Sequence, residues 1–458
     1  MPKKKTALTI EERLQQALVP AEEQPYEVPE NWVWVYGKNI FMPMESRKPD
    51  GEDFYYIDID AIDNKNQVVT EAKKIKTAQA PSRASRKLHT GDTVFSLVRP
   101  YLKNIAYIDV QLSDCIASTG FFVCTPNAAL NDKYLYRLMV SSYVVDGLNK
   151  HMKGDNSPSI RKDDIENYPF PLPPLTEQQR IVERIEELFS KLDEAKERLQ
   201  EVADSFAVRK AAILHKAFTG ELTQQWRREN GVSDESWEES NLGSFIACGP
   251  QNGLYKPKSS YGDGIRIIRI DAFYDGVIEQ WDELKRLRLD ENEIECYSLN
   301  LNDILINRVN SMQYLGKSAL VRELKDVCVF ESNIMRLSVD ESRIYPEFLI
   351  SFLNSQMGLN ELRKNAKQAV NQASINQQDI KNVIINLPAL SEQHEIVRLI
   401  DDLLARERSA QQATEQALAS IDLMKKSILA RAFRGELGTN KASEASALEL
   451  LKKVLAEG

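Results

Sequence analysis

The side chains that most often carry out chemistry are scattered along this sequence. The four histidines, His89, His151, His215 and His394, lie neither in an HExxH motif nor at zinc-ligand spacing with a cysteine. The segment SMQYLGKSAL ends like a phosphate-binding loop, but Ser311 stands where the first glycine must let the backbone approach the phosphates. No GxGxxG follows a predicted strand, and the Asp-Pro-Pro-Tyr or Asn-Pro-Pro-Tyr tetrapeptide expected of an adenine-amino methyltransferase is missing. We therefore expect no catalytic residue, metal site or cofactor in this chain.

Two groups of basic, amide and tyrosine side chains favour nucleic-acid binding instead. Lysine and arginine neutralise phosphates, and arginine, asparagine and glutamine pair with base edges in the major groove. The first group is Arg83, Arg86, Lys87, Arg99, Tyr101, Lys103 and Asn104, and the second is Arg266, Arg269, Arg308, Asn310, Gln313, Tyr314 and Lys317. Each group alone could be an ordinary solvated surface, but both fall around the same matched strand. The matched segments KGDNSPSI (153–160) and KQAVNQASI (367–375) either touch phosphate or form the turn before a strand.

These groups lie in two regions of mixed strand and helix pattern that echo one another. FYYIDIDAI (54–62) and IRIIRIDAF (265–273) predict matching strands, and so do DTVFSLV (92–98) and NDILINRV (302–309). IASTGFFVC (116–124) predicts a further strand, whereas KYLYRLMVSSYVVDGL (133–148) and YPEFLISFLNS (345–355) predict helices. The two regions share pattern and spacing more than identity. We therefore expect two diverged domains of one fold.

A stretch that occurs twice must position these domains. LPPLTEQQRIVERIEELF continues to KAFTGEL, and LPALSEQHEIVRLIDDLL continues to RAFRGEL, at an offset of 215 residues as from Leu172 to Leu387. Apolar residues recur in steps of three and four, which predicts a helix of about thirty residues, roughly 45 Å long, from an N-cap at Thr176 to Phe206. The apolar seam comprises Ile181, Ile185, Leu188, Leu192, Leu199 and Val202 in the first copy and Ile396, Ile400, Leu403 and Ile421 in the second.

Such a long apolar stripe is not left in water, so we expect the two helices to pack on each other. An antiparallel arrangement is expected because a whole domain separates them in sequence. The alternative is that each helix lies on its own domain. Glu407 and Thr414 interrupt the second seam and predict less regular packing there. The predicted fold is α+β, with two mixed α/β domains separated by two long antiparallel coiled-coil helices and a pseudo-twofold internal repeat.

Composition sets the domain plan and the compartment. A net charge of −9 over 458 residues argues against a protein that wraps nucleic acid with its whole surface. The five cysteines form no CxxC pair, which favours a reducing cytoplasm, and no apolar run reaches membrane-spanning length. We place an N-terminal helical segment at 1–27, mixed domains at 28–155 and 236–370, near-repeated helical regions at 156–222 and 371–437, a linker at 223–235 and a helical tail at 438–458. We expect the tail helix (446–457) to lie beside the N-terminal helix (7–18).

The sequence resembles the DNA sequence-specificity subunit of type I restriction-modification systems. The resemblance rests on the two LPPL-TEQ and LPAL-SEQ helices that end in AFTGEL and AFRGEL, and on their alternation with two variable regions, and it covers essentially the whole chain. It implies that residues 28–155 and 236–370 are target recognition domains, each reading one half of a bipartite, asymmetric double-stranded DNA site. It also implies that the helices fix the distance between the halves and dock two methyltransferase (modification) subunits.

The resemblance implies a non-catalytic chain that binds no cofactor. The modification subunits carry S-adenosylmethionine and methylate adenine, and two restriction subunits use ATP and Mg to cleave unmodified DNA. Because the half-site readers of this family vary, the basic and amide residues above remain predictions from residue type. Two alternatives stay open: a stand-alone DNA-binding protein without methyltransferase partners, and a self-sufficient nuclease or methyltransferase with an unrecognised site.

Overall fold

The computed structural model describes residues 9–370 and 372–457 and divides into two compact units. Unit 1 comprises Met1–Leu199 and Gln416–Gly458, and unit 2 comprises Gln200–Glu415. Each unit therefore contains one mixed domain and a part of each repeated helix. The first two residues of the predicted N-terminal helix, 7 and 8, lie outside the described residues, as does Asn371 of the segment 367–375. Within the described part, no helix combines the length and apolar character needed to span a membrane.

Short helices and strands build both mixed domains, whereas two helices are far longer than the rest. The helices are α1 (Ile10–Ala17), α2 (Asp132–Met139), α3 (Ser142–Asn149), α4 (Lys162–Glu166), α5 (Leu175–Phe218), α6 (Gln224–Asn230), α7 (Glu291–Tyr297), α8 (Pro346–Leu353), α9 (Gln356–Arg363), α10 (Gln377–Lys381), α11 (Leu390–Ala432) and α12 (Ala447–Glu457). The strands are β1 (Val33–Tyr36), β2 (Asp53–Ile57), β3 (Ile62–Asp63), β4 (Val68–Val69), β5 (Lys73–Lys76), β6 (Ala84–Lys87), β7 (Thr93–Ser96), β8 (Ile105–Tyr107), β9 (Ile116–Ser118), β10 (Phe121–Cys124), β11 (Pro169–Leu172), β12 (Glu238–Asn241), β13 (Ile246–Asn252), β14 (Tyr261–Ile268), β15 (Phe273–Tyr274), β16 (Val277–Ile278), β17 (Arg286–Leu287), β18 (Ile304–Asn307), β19 (Val309–Asn310), β20 (Ser318–Leu320), β21 (Cys328–Phe330), β22 (Ile334–Val339), β23 (Lys367–Ala369), β24 (Gln372–Ser374) and β25 (Ile384–Leu387).

The mixed domain of unit 1 is built on two small sheets. Strand β7 is central in the antiparallel order β10-β7-β8, and β2 and β9 form a parallel pair within the order β5-β2-β9-β6. Strand β7 is buried along its whole length, and α2 packs against it. The first strand of the domain, β1, pairs with β11 just before α5 begins. This pairing joins the start of the domain to the start of the long helix.

Unit 2 repeats this plan with the equivalent elements. Strand β18 is central in the order β13-β22-β18-β20, β14 and β21 form the parallel pair, and β12 pairs with β25 just before α11 begins. The matched patterns in the sequence therefore correspond to one topology used twice, and the predicted internal repeat is confirmed.

Several predicted segments differ in detail from the structure. The strands predicted at 54–62 and 265–273 are each interrupted, the first forming β2 and β3 and the second forming β14 and the start of β15. The strand predicted at 116–124 is two strands, β9 and β10, and the helix predicted at 133–148 is α2 and α3. The predicted helix is divided because the Ser141 hydroxyl accepts a hydrogen bond from the Val144 amide, which starts the new helix α3. The predicted linker 223–235 contains α6, in which Arg227 is buried.

The repeated helices are longer than predicted, with 44 residues in α5 and 43 in α11. Helix α5 continues past its predicted end at Phe206, and the two helices end within the repeated AFxGEL motif, at Phe218 and Ala432. Its glycines, Gly220 and Gly435, have φ angles of 80° and 74°. This left-handed conformation favours glycine after a helix end, which explains why the motif keeps that residue in both copies.

The predicted N-cap at Thr176 is wrong, because α5 already begins at Leu175. The amides of Glu177 and Gln178 donate to the Pro174 carbonyl at 2.9 Å, so the backbone of that proline receives the first helical hydrogen bonds. The Thr176 hydroxyl instead donates to Glu444 at 3.1 Å.

The two long helices pack together in antiparallel fashion. In unit 1, Lys425 pairs with Asp193 at 2.5 Å, and Lys196 pairs with Asp422 at 3.6 Å. The residue number rises along α5 as it falls along α11, which is the mark of an antiparallel pair. The predicted pairing of the helices is therefore confirmed. The helix ends also pack on the mixed domain of the same unit. The alternative prediction, that each helix lies on its own domain, therefore describes part of their contacts.

The polar residues that interrupt the second seam have partners. In unit 2, Arg209 on α5 donates through Nε to Glu407 on α11 at 2.8 Å. The Thr414 hydroxyl is buried and donates to the Ala410 carbonyl of its own helix at 2.8 Å. A cross-helix ion pair thus replaces an apolar contact at this level of the pair.

The N-terminal and C-terminal helices pack on each other in unit 1, as expected. The Arg13 guanidinium donates to the Leu455 carbonyl at 3.1 Å. Leu14 and the buried Leu451 belong to the same apolar core. The tail is also fixed by Arg180, whose guanidinium makes two hydrogen bonds of 2.8 Å to Glu444.

Candidate nucleic-acid interface

In unit 1 the loop that follows β7 lies against the segment that precedes α4. The Arg99 amide donates to the Pro158 carbonyl at 2.8 Å, and its guanidinium donates to the Asn156 carbonyl at 3.0 Å. The Ile160 amide donates to the Leu97 carbonyl at 2.9 Å. Two segments that the sequence singled out separately therefore form one surface. We call residues 97–104 with 153–160 paired loop 1.

Unit 2 brings the equivalent segments together in the same way. Strand β19 pairs with β24, so Asn310 lies opposite Ala373, and β24 pairs in turn with β23. The Ile375 amide donates to the Arg308 carbonyl at 3.0 Å, at the position that Ile160 occupies in unit 1. We call residues 308–317 with the described part of 367–375 paired loop 2.

The predicted residues of paired loop 1 are displayed by a constrained turn. Arg99 and Lys103 have backbone φ angles of 48° and 56°, which residues other than glycine rarely adopt. Both lie at the ends of a short turn that leaves Arg99 and Tyr101 exposed. Asn104 differs from the prediction, because it is only 8 % exposed and its carbonyl accepts the Ser96 amide at 3.1 Å. We therefore leave Asn104 out of the proposed surface.

Arg83 and the predicted residues of β6 are connected to paired loop 1 through the turn between β9 and β10. The Thr119 amide donates to the Arg83 carbonyl, and the Leu97 amide donates to the Gly120 carbonyl, both at 2.8 Å. The Arg83 side chain is exposed, whereas Arg86 and Lys87 are half-buried. Lys87 forms an ion pair of 2.6 Å with Glu45, so its charge is partly neutralised.

Paired loop 2 offers a different set of side chains on the same frame. Gln313 and Tyr314 are exposed, and Arg308 and Asn310 are half-buried. The loop is held from behind by Arg363, which donates to the Leu315 carbonyl at 2.8 Å and to the Gln313 carbonyl at 3.2 Å. A half-buried arginine thus fixes the loop that presents the exposed amide and phenol.

Two predicted residues of unit 2 have structural partners. The Arg266 side chain is 11 % exposed and forms ion pairs with Asp326 and Asp282. The Lys317 ammonium lies 3.8 Å from the centre of the Tyr274 ring and donates to the Ile270 carbonyl at 2.8 Å, and burial lowers its pKa. Both cations have partners within the domain, and their assignment as DNA contacts stays a prediction.

A groove beside paired loop 2 was not predicted. It has a volume of about 740 Å³ and is lined by Leu254, Tyr255, Lys256, Lys258, Tyr261, Gly262, Arg269, Lys285, Glu331, Ser332 and Asn333. It reaches the loop, because the Arg308 guanidinium donates to the Ser332 carbonyl at 3.1 Å and the Arg308 amide donates to the Asn333 carbonyl at 2.8 Å. The sequence signal was YKPK (255–258), a tyrosine beside alternating lysines.

The repeated glutamines join each long helix to its mixed domain. Gln178 donates to the carbonyls of Ala129 and Pro173 at 2.9 Å and accepts the Asn131 amide at 2.7 Å. Gln393 makes the equivalent contacts in unit 2, donating to Arg343 and Pro388 and accepting the Tyr345 amide at 2.7 Å. Both glutamines are fully buried.

The repeated glutamates lie at a junction of three elements in each unit. In unit 1, Trp32 and Asn440 each donate to Glu177 Oε2 at 2.8 Å. In unit 2, Glu392 Oε1 accepts from Thr223 and Arg227 at 2.6 Å and from Trp237 at 3.1 Å. Each glutamate joins the start of one helix, the start of a domain and the segment after the other helix. The sequence signal was the recurrence of both residues, but their role was missed.

Most of the predicted seam residues are covered. Five are buried and four are half-buried; the buried ones are Ile181, Ile185, Ile396, Ile400 and Ile421, and the half-buried ones are Leu188, Leu192, Leu199 and Leu403. Val202 departs from the expectation, because it is 41 % exposed, whereas Phe206 of the same helix is buried. Two apolar residues at equivalent positions of the repeat are more exposed still, Val208 at 70 % and Leu423 at 64 %.

Comparisons with known proteins identify the family of the chain. The family described as the type I restriction modification DNA specificity domain matches residues 38–204 and 234–418. The chain is 31 % identical to the StySPI specificity subunit of Salmonella potsdam, over 72 % of this chain and 73 % of that protein. It is 28 % identical to the EcoKI specificity subunit of Escherichia coli K12, over 73 % of this chain and 74 % of that protein.

Solved structures show the same fold. The crystal structure of the HsdS subunit from Thermoanaerobacter tengcongensis is similar with a TM-score of 0.65 and 27 % identity, over 91 % of this chain and 100 % of that one. A chain solved in a study of assembly and conformational transition of a type I R-M system has a TM-score of 0.70 and 27 % identity, over 90 % of this chain and 100 % of that one. The chain therefore belongs to the type I restriction-modification DNA specificity family.

Proposed function

We propose that each unit of this specificity subunit reads one half of a bipartite, asymmetric double-stranded DNA site. The observation that carries the proposal is the recurrence of one paired-loop frame with different side chains. Paired loop 1 offers Arg99 and Tyr101, whereas paired loop 2 offers Arg308, Asn310 and Gln313. Arginine and amide side chains recognise base edges in the major groove. One frame with unlike contacts suits two half-sites of unlike sequence.

The paired helices serve as the scaffold for two methyltransferase subunits and set the spacing between the half-sites. This assignment is supported by the exposed apolar side chains of Val208 and Leu423, which recur at equivalent positions of the two halves. Two equivalent surfaces suit two copies of one partner. Two restriction subunits complete the complex.

The chain contributes recognition and no bond-making chemistry. Its methyltransferase partners hold S-adenosylmethionine and methylate adenine, and the restriction subunits use ATP and Mg to cleave unmodified DNA. The names of the relatives, which are specificity subunits of restriction enzymes, support this division of labour.

Replacing Arg308 and Asn310 with alanine tests the reading of separate half-sites. We expect the loss of about 1–3 kcal/mol per true base contact, at one half-site only. Binding is measured on duplexes in which each half-site is altered in turn, with the chain in complex with the methyltransferase encoded beside it. The matched control is Arg99→Ala in unit 1, which should affect the other half-site. Equal losses at both halves from either variant would contradict the proposal.

Co-purification tests the scaffold role and distinguishes the alternatives. A stable complex with the adjacent methyltransferase is expected, and its absence would favour a stand-alone DNA-binding protein. The chain alone should leave DNA unmodified when it is given S-adenosylmethionine, and uncut when it is given Mg. Modification or cleavage by the purified chain would favour a self-sufficient enzyme.

A further inference from the structure

We infer that the groove of unit 2 binds the sugar–phosphate backbone of DNA beside the half-site that paired loop 2 reads. The inference rests on the proposed function and extends it to residues outside both predicted groups. The ligand chemistry is a run of phosphate diesters. The contact is independent of base sequence, because lysine side chains meet phosphate as point charges.

The charges that line the groove are the first support. Lys258 and Lys285 are exposed, and neither forms an ion pair within the described residues. Lys256 pairs with Glu293 at 2.5 Å, and Arg269 Nε lies 3.4 Å from Glu331. Two free ammonium groups therefore remain at the groove in a chain with a net charge of −9. Such a local excess of positive charge attracts a polyanion.

The position of the groove is the second support. Its lining residues Ser332 and Asn333 hold Arg308 through their carbonyls, so the groove continues directly from paired loop 2. A backbone segment bound in the groove would thus adjoin the bases that Arg308 and Asn310 contact. Contacts of this kind fix the register of a protein on the duplex without adding sequence information.

The rim of the groove fits a polymer. Tyr255 is 81 % exposed between the lining lysines, where its ring can pack on a sugar or an unstacked base. No atom lies within 4 Å of the position that a Cβ would take at Gly262, so the backbone there leaves open space. A free nucleotide offers the same phosphate chemistry, but continuity with the reading loop favours the DNA backbone.

The double variant Lys258→Ala with Lys285→Ala tests the inference on the full chain. The slope of log K against log salt concentration should become shallower by about two, since each phosphate contact contributes about 0.9. Affinity for cognate and non-cognate duplexes should fall by the same factor. The charge-matched control is Lys133→Ala with Lys191→Ala, which removes two exposed lysines from helices of unit 1. That control should leave the slope unchanged.

Three results would overturn the inference. The first is an unchanged salt slope in the groove variant, and the second is a selective loss of cognate binding, which would make the lysines base readers. The third is thermal stabilisation of the natural chain, but not of the variant, by millimolar ATP without DNA, which would make the groove a nucleotide site. A natural chain that binds no DNA, alone or with its methyltransferase, would instead refute the proposed function.

Discussion

Replacing Arg227 with alanine should lower the free energy of unfolding of unit 2 by about 3–5 kcal/mol. The Arg227 guanidinium lies 2.6 Å from Glu392 Oε1, and the two side chains are 6 % and 1 % exposed. Removing the arginine leaves a buried carboxylate without its counter-charge. It also removes the hydrogen bond of 2.8 Å that the guanidinium donates to the Gly220 carbonyl.

Urea denaturation of the full chain, followed by circular dichroism, measures this cost. The matched control is Asn440→Ala at the equivalent junction of unit 1, which removes a neutral donor to Glu177 and should cost about 1.5–3 kcal/mol. Adding Glu392→Gln to Arg227→Ala should recover a large part of the loss, because glutamine still accepts from Trp237 but carries no charge. A cost below about 1 kcal/mol for Arg227→Ala, or a double variant no more stable than the single one, would refute the reasoning.

Two further predictions concern assembly and pH. Leu188→Asp or Leu192→Asp should prevent assembly with the methyltransferase, because either change places a charge in the helix seam. The double variant Val208→Asp with Leu423→Asp should keep the circular dichroism spectrum of the natural chain but no longer bind the methyltransferase. Gel filtration of the mixed proteins distinguishes these results, and unchanged complex formation would show that the seam or the surface is misplaced. Burial raises the pKa of Asp92 and of its counterpart Asp303 above the ordinary 3.8, so each stabilises the fold at low pH and loses that contribution as the pH rises through the raised pKa. Asp92→Asn should therefore gain in urea midpoint relative to the natural chain as the pH rises from about 4 through the raised pKa, and an offset independent of pH would contradict this.

The repeated helices were predictable because identity and apolar spacing are both visible in one sequence. Their pairing register was not, because the seam changes from apolar to polar along its length. The Arg209–Glu407 pair fixes the level of the two helices in unit 2, and periodicity alone cannot assign partners to charged residues. Helix length was underestimated because the apolar steps become irregular after Phe206, while buried residues of α5 such as Leu214 continue into the core of unit 2.

The paired loops were predictable as segments because matching segments recur in the same order in both halves, although their contact with each other required the structure. Whether a given lysine or arginine has a partner within its own domain was not predictable from the sequence. Arg266 is neutralised by Asp282 and Asp326, which lie far from it in sequence, and Lys317 is covered by aromatic rings of another segment. Residue type indicates what a side chain can bind, whereas tertiary neighbours decide whether it is still free to do so.

Unit 1 is assembled from two distant parts of the chain, and this has a consequence for synthesis on the ribosome. Ile181, Ile185 and Phe189 share a core with Leu429 and Phe433, which are translated after the whole of unit 2. At typical elongation rates of 5–20 residues per second, the first helix waits roughly 10–50 s for its partner. Unit 2 is continuous in sequence and can complete its core during that interval. Until then, the part of the apolar face of α5 that packs on α11 has no partner in the nascent chain. We therefore expect this surface to attract chaperones and to mispair with nascent chains on neighbouring ribosomes.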